Sequence, residues 1–133
     1  MVLTACSGAE TVEGTFPVET VMVGETELEV AVASTPDQRS QGLRGVEELD
    51  GYDGMVFVFE EVRSATFGMR DTLIPLDIWW FDPDGVLIGS TEMQPCEDLA
   101  CITYSSPGEI GWALETPLGE WEFEMGAVLE PPA

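Results

Sequence analysis

The chain has 133 residues, 44% of them hydrophobic, and 4 arginines stand against 26 Asp and Glu, giving a net charge of −22 with no lysine and no histidine. That is one domain of ordinary globular material with room for one sizeable core. So acidic a balance excludes nucleic-acid binding through a basic footprint, and the missing residues exclude Ser-His-Asp and Cys-His catalysis, His-ligated zinc, Schiff-base chemistry and a Walker-type phosphate grip.

In chain order, Leu3-Thr4-Ala5-Cys6 comes first. It resembles the bacterial lipobox, in which small residues precede a cysteine that is lipidated. The expectation is an extracytoplasmic lipoprotein, cell-surface or periplasmic, with lipid on Cys6 and the preceding signal truncated or start-site trimmed. Residues 1–15 then read as a lipobox remnant and flexible acidic tether, and 16–130 as a single β domain. No stretch approaches the roughly 20 apolar residues of a membrane span. The only membrane contact expected is therefore through lipid on Cys6. Setting Cys6 aside leaves Cys96 and Cys101. In an exported protein the pair reads as a structural disulfide that pins a loop. A thioredoxin-type redox pair, the alternative, has two intervening residues and a following helix, and neither is present.

Leu28, Val30 and Val32 alternate with Glu27 and Glu29, as in a half-buried strand, and Phe16 to Val23 pairs with it across Gly24-Glu25. Thr35-Pro36-Asp37-Gln38 carries a cap, a proline for the first turn, an acid for the dipole and a capping-box glutamine. A short helix near residues 36–42 follows, stopped by Gly42 or Gly45 and containing Arg39. Met55 to Phe59 and Ile78 to Phe81 are apolar on both faces and read as central strands. Asp82-Pro83-Asp84-Gly85 is a turn rather than a calcium loop, which would need more ligands and a distal Glu. Val86 to Ile88 leads the return strand, and Met93 to Gly108 is a long loop holding both cysteines. Ile110 to Glu115 and Trp121 to Met125 read as two final strands. The fold class is all-β, mainly antiparallel: a compact β-sandwich or barrel with one short helix.

Gly54-Met55-Val56-Phe57-Val58-Phe59 and Met69-Arg70-Asp71-Thr72, followed by Pro75-Leu76-Asp77-Ile78, resemble the bacterial and archaeal family called domain of unknown function 192. Arg39 with Gly42-Leu43, Asp84-Gly85, Pro95-Cys96 with Cys101, Tyr104, Leu114-Glu115 and Gly119 run in the family's order. The resemblance covers roughly Val30 to Val128. It implies a compact β fold with one small helix, often exported or lipid-anchored, and brings no established activity. Two departures stand out. Gly68 replaces the usual Trp before the methionine, and Arg70-Asp71 replaces Lys-Asn after it.

The densest polar cluster in apolar surroundings is Arg70-Asp71-Thr72 with Asp77. Polar groups in that setting must be paired or line a cleft. As a ligand site, Arg70 supplies a cationic fork, Asp71, Thr72 and Asp77 polar contacts, and Tyr104, Trp79 or Trp80 an aromatic platform. Such groups suit a small polar or saccharide-like ligand. The competing internal reading has Asp77 and Glu115 neutralising Arg39 and Arg70 as structural ion pairs. A hydrolase using Asp77 and Glu115 as a glycosidase-like pair is a further alternative, and a pure protein–protein interaction module another. The leading reading is a non-catalytic, monomeric binding module for a small polar ligand or a cell-envelope partner, with no metal or other cofactor. The acid-rich strand faces also fit a halophilic or salt-tolerant source.

Overall fold

The structure, a computed structural model, describes residues 11–13, 15–98 and 100–132. Cys6 and its lipobox lie outside the described residues. Among the described residues, ten strands and one helix follow in chain order. They are β1 Thr11–Val12, β2 Phe16–Val23, β3 Thr26–Ala33, α1 Pro36–Gln41, β4 Gly54–Arg63, β5 Thr66–Gly68, β6 Leu76–Phe81, β7 Leu87–Met93, β8 Thr103–Ser105, β9 Ile110–Pro117 and β10 Leu129–Glu130. β1 pairs with β2, so part of the span read as a tether belongs to the large sheet.

The large sheet runs β1-β2-β3-β4-β9-β6-β7, with β10 also on β2, while β5 and β8 form a separate two-stranded sheet. The β2–β3 hairpin forms as expected, with Gly24 at φ 59° in its turn. All ladders of the sheets are antiparallel except β3–β4. Parallel neighbours cannot be joined by a tight hairpin and require a crossover. Here the crossover is the 34–53 segment, which carries α1 across one face of the sheet. The helix starts as its sequence dictates. The Thr35 hydroxyl accepts from the Gln38 amide at 3.1 Å, and the Gln38 side chain accepts from the Thr35 amide at 3.1 Å. Gly42 ends it at φ 50°.

The central strands of the sheet are buried on both faces. Ala31, Ala33, Met55, Phe57, Ile78, Trp80 and Ala113 build one core under α1 and the β5–β8 pair. Val30, Val32, Val56, Trp79, Phe81 and Leu114 build the other. β3 is therefore half-buried only over its first residues, and from Val30 onward it is covered on both sides. Backbone bonds from Leu87 to Ala127 and from Leu129 to Gly85 bring the outer segments together without closing the ladder. The fold is thus an open, sandwich-like β structure.

One expected strand is absent. Trp121 to Met125 has the right alternation but forms no ladder. Its half-buried aromatics cap the second core instead, with Phe123 edge-on to Trp79 at 4.8 Å. Alternation reports which side chains are buried; it does not supply a neighbour to bond with.

At Gly54, β4 leaves no room for a side chain beside β9. A Cβ there would run into the Glu115 carbonyl and lie 3.1 Å from the Thr116 methyl. Because the obstacle is backbone, Gly54→Ala should cost roughly 1–3 kcal/mol through overpacking. Thermal unfolding of the variant should show a lower Tm, and an unchanged Tm would contradict this packing.

Candidate functional site

A recess of about 600 Å³ opens over the first core, between α1 and its following turn on one side and the outer part of β4 with β5 on the other. The crossover brings Arg39 and Arg44 to it, β4 brings Arg63, and the turn before β6 brings Arg70. Every cation of the chain thus borders one cavity. Arg39 is half-buried, and the other three are exposed.

The Arg39 guanidinium is fixed by its Nη1, which donates to the Ser34 and Val58 carbonyls, both at 2.9 Å. These bonds tie α1 to β4. The Arg39 and Arg63 guanidinium carbons also lie 5.5 and 5.0 Å from the centre of the Phe59 ring, within cation–π range. Among the described residues none of the four arginines forms an ion pair with a carboxylate. The expected pairing of Arg39 and Arg70 with Asp77 and Glu115 is therefore not made. Their partners are carbonyls, an aromatic ring and the open cavity.

Thr72 and Glu115 line the recess from deep positions, 6% and 5% exposed. β9 sets Glu115: it pairs opposite Met55 and Ile78 and so faces the first core, while Thr116 faces the other way and accepts from the Trp79 indole at 3.1 Å. Burial pushes the Glu115 carboxyl up to about 8, leaving it largely uncharged at neutral pH.

The Arg70-Asp71-Thr72 turn is held by its backbone. Asp71 sits at φ 60°, a conformation Asp tolerates better than most residues. Its amide donates to the Cys96 carbonyl at 3.1 Å, its carbonyl accepts from Gly45 at 2.9 Å, and the Thr72 amide donates to the Met69 carbonyl at 3.0 Å. Cys96 and Cys101 form a disulfide, with Cα atoms 5.8 Å apart. The covalent loop thereby braces the strand of chain carrying Arg70 and Thr72.

Of the ligand residues read from sequence, Arg70 and Thr72 line the recess; Asp71, Asp77 and Tyr104 do not. Asp71 shapes the turn. Asp77 lies opposite Thr116, on the other face of the sheet from Glu115, and its carboxylate accepts from the Gly119 amide at 2.9 Å. The proposed acid/base pair of Asp77 and Glu115 is therefore not brought together. The Tyr104 hydroxyl accepts from the Gln94 amide at 3.3 Å, and the side chain packs on the first core. Trp79 and Trp80 are both buried in opposite cores, so neither offers a platform, and the Trp80 indole N–H has no partner. Asp82 bonds the amides of Asp84 and Val86, which makes its loop a plain turn. Among the described residues no group of three or more Cys, Asp or Glu could hold a metal, and no helix is long and apolar enough to cross a membrane. Arg44, Arg63 and Phe59 are lining residues that pattern reading missed. The available signal was that the chain has only four cations.

The sequence profile of domain of unknown function 192, described as "Uncharacterized ACR", matches residues 19–129, and the chain belongs to that family. Two solved structures are similar. One, from Novosphingobium aromaticivorans DSM 12444, is a protein of unknown function, 24% identical, aligned over 96% of this chain and 94% of its own with a TM-score of 0.83. The other, from Sinorhizobium meliloti 1021, is provisionally described as a transcription regulator. It is 26% identical, aligned over 87% of this chain and 95% of its own with a TM-score of 0.77. No curated protein matches the chain.

Two outcomes follow. The folded chain retains a proton on Glu115 that the unfolded chain releases above its ordinary value of 4.5. This residue's contribution to stability is therefore full below that value and lost as pH rises through about 8. Glu115→Gln should remove that slope, so its Tm should gain on wild type progressively across this range; parallel curves would refute the buried-carboxyl assignment. Replacing both Cys96 and Cys101 with Ser should cost roughly 2 kcal/mol by loop entropy. It should also raise amide exchange at Asp71 and Thr72, measurable by hydrogen–deuterium exchange.

Proposed function

We propose that this chain is a non-catalytic, extracytoplasmic binding module, tethered through lipid on Cys6, whose recess takes a small polar or saccharide-like ligand. The observation that carries this reading is the recess itself. It is about 600 Å³, the size of small-molecule sites generally, and has the buried polar side chains of Thr72 and Glu115 in its lining. Both side chains border the recess, so a ligand seated there can take hydrogen bonds from them in place of water.

Glycosidase chemistry is less well supported. It needs two carboxyl groups flanking one bond, and Asp77 lies on the opposite sheet face from Glu115. A role as a transcription regulator, the description given to the Sinorhizobium protein, fits the charge poorly if it is exercised on DNA. The net charge is −22, and all four arginines surround a cavity rather than forming a stripe along a surface.

Thermal unfolding of the purified chain against neutral and charged mono- and disaccharides, cell-wall fragments, calcium and chelator tests the reading. A true ligand at about 100 times its Kd should stabilise by roughly 2.7 kcal/mol, a shift of several degrees. Thr72→Ala should abolish the shift. So should Gly68→Trp: the glycine lines the recess, and nothing lies within 4 Å of a Cβ built there. A shift that survives both substitutions would place binding elsewhere. No shift with any compound would favour an interaction module instead.

A further inference from the structure

Resting on that reading of the recess, we propose that its ligand is a small oxyanion: a sugar or polyol frame bearing two or more carboxylate, phosphate or sulfate groups. Three observations on different residues converge. The first is distribution. The chain has 26 acids and 4 arginines, yet all four arginines border one cavity, and among the described residues none is neutralised by an acid. On so acidic a surface an arginine placed without constraint would readily meet a carboxylate.

The second is crowding. Arg39 and Arg63 converge on the two-way cation–π contact with Phe59. Two like charges held against one ring repel each other. The ring offsets part of that repulsion, and an anion between or beside the two forks offsets it further. Arg39 cannot swing away, because its Nη1 is bonded to the Ser34 and Val58 carbonyls. A guanidinium also presents paired donors that match two oxygens of a carboxylate, phosphate or sulfate.

The third is the lining. The one acid that lines the cavity among the described residues, Glu115, is buried, and burial keeps it largely protonated at neutral pH. It therefore presents a neutral hydrogen-bonding group to an anion instead of a repelling charge. Thr72, Ser40 and Ser64 line the same cavity, and residues bearing hydroxyls suit the hydroxyl groups of a sugar frame. The volume admits a frame of one or two rings, so that more than one arginine can be engaged at once.

Isothermal titration of the full chain at pH 7 with three probes tests this: digalacturonate, glucose 1,6-bisphosphate and neutral lactose. At least one charged probe should bind tenfold or more tighter than lactose, and whichever leads distinguishes carboxylate from phosphate. A lost charge-assisted bond is typically worth about a factor of ten or more. Arg63→Gln and Arg70→Gln should therefore each weaken the charged probe by roughly that factor. Both side chains are exposed, so the Tm should stay near that of wild type. Glu27→Gln, which shifts the net charge by one unit in the opposite direction on an exposed residue of β3, should change affinity less than twofold. Equal affinity for lactose and both charged probes, or weakening by neither arginine variant, would overturn the anion inference while leaving the recess as a ligand site. So would a gain of charged-probe affinity in Glu27→Gln as large as the loss in the arginine variants, which would reduce the effect to overall charge. No binding by any probe would overturn both readings.

Discussion

The close seating of β9 between β4 and β6 is the constraint on which the rest depends. β9 bonds both neighbours along most of its length, and Gly54 is the residue that lets β4 come in close beside Glu115 and Thr116. A strand so placed contributes alternate side chains to two cores: Ala113 to one, Leu114 to the other. At the next two positions the same alternation delivers polar residues. Thr116 meets an indole N–H and is satisfied internally. Glu115, on the face under α1, lines the recess. The pleat that builds the core therefore also places a carboxyl at depth, where desolvation, not a charged neighbour, decides its protonation.

The walls of the recess depend on a different device. One is a parallel crossover, which carries α1 over the sheet because β3 and β4 cannot be joined by a hairpin. The other is the Asp71 turn, bonded to Gly45 of the crossover on one side and to Cys96 of the disulfide loop on the other. Three segments distant in sequence thus meet at Asp71. Its exposed side chain contributes little there, and its backbone contributes the joint. This explains how a residue in a conspicuous polar motif is needed for the site without lining it.

The capped helix, the first hairpin and the apolar central strands were legible in sequence because each is a local pattern. Thr35 and Gln38 are three residues apart, and the two-sided runs at Met55–Phe59 and Ile78–Phe81 state their own burial. The site was legible only in part. Arg70 and Thr72 stood out beside the core motif, whereas Arg63 belongs to the recess only through how the long strand β4 is placed, with its ladder to β9 shifting register between Val58 and Arg63. The failure at Asp77 and Glu115 has the same origin. Both look buried and acidic in sequence, but pairing Asp77 with Thr116 instead of Glu115 sends them to opposite faces, a difference of one residue in register. Trp121 to Met125 failed in the reverse direction, with a correct burial pattern and no ladder.

The charge distribution then acts on two length scales. At a distance the chain presents the field of its 26 acids, which repels every anion. In physiological salt that field is screened over about 8 Å. Within the recess a bound anion would be in direct contact with guanidinium groups, where bulk screening is weak and the one acid lining it among the described residues is largely uncharged. The two scales discriminate by size. A polyanion too long for the cavity must lie across the acidic surface outside it and meets repulsion along its length. A small anion fits inside the screened boundary and meets only the arginines. An excess of acid over the whole surface is therefore compatible with an anion site, and it would sharpen the preference of the proposed site for small ligands over polymers.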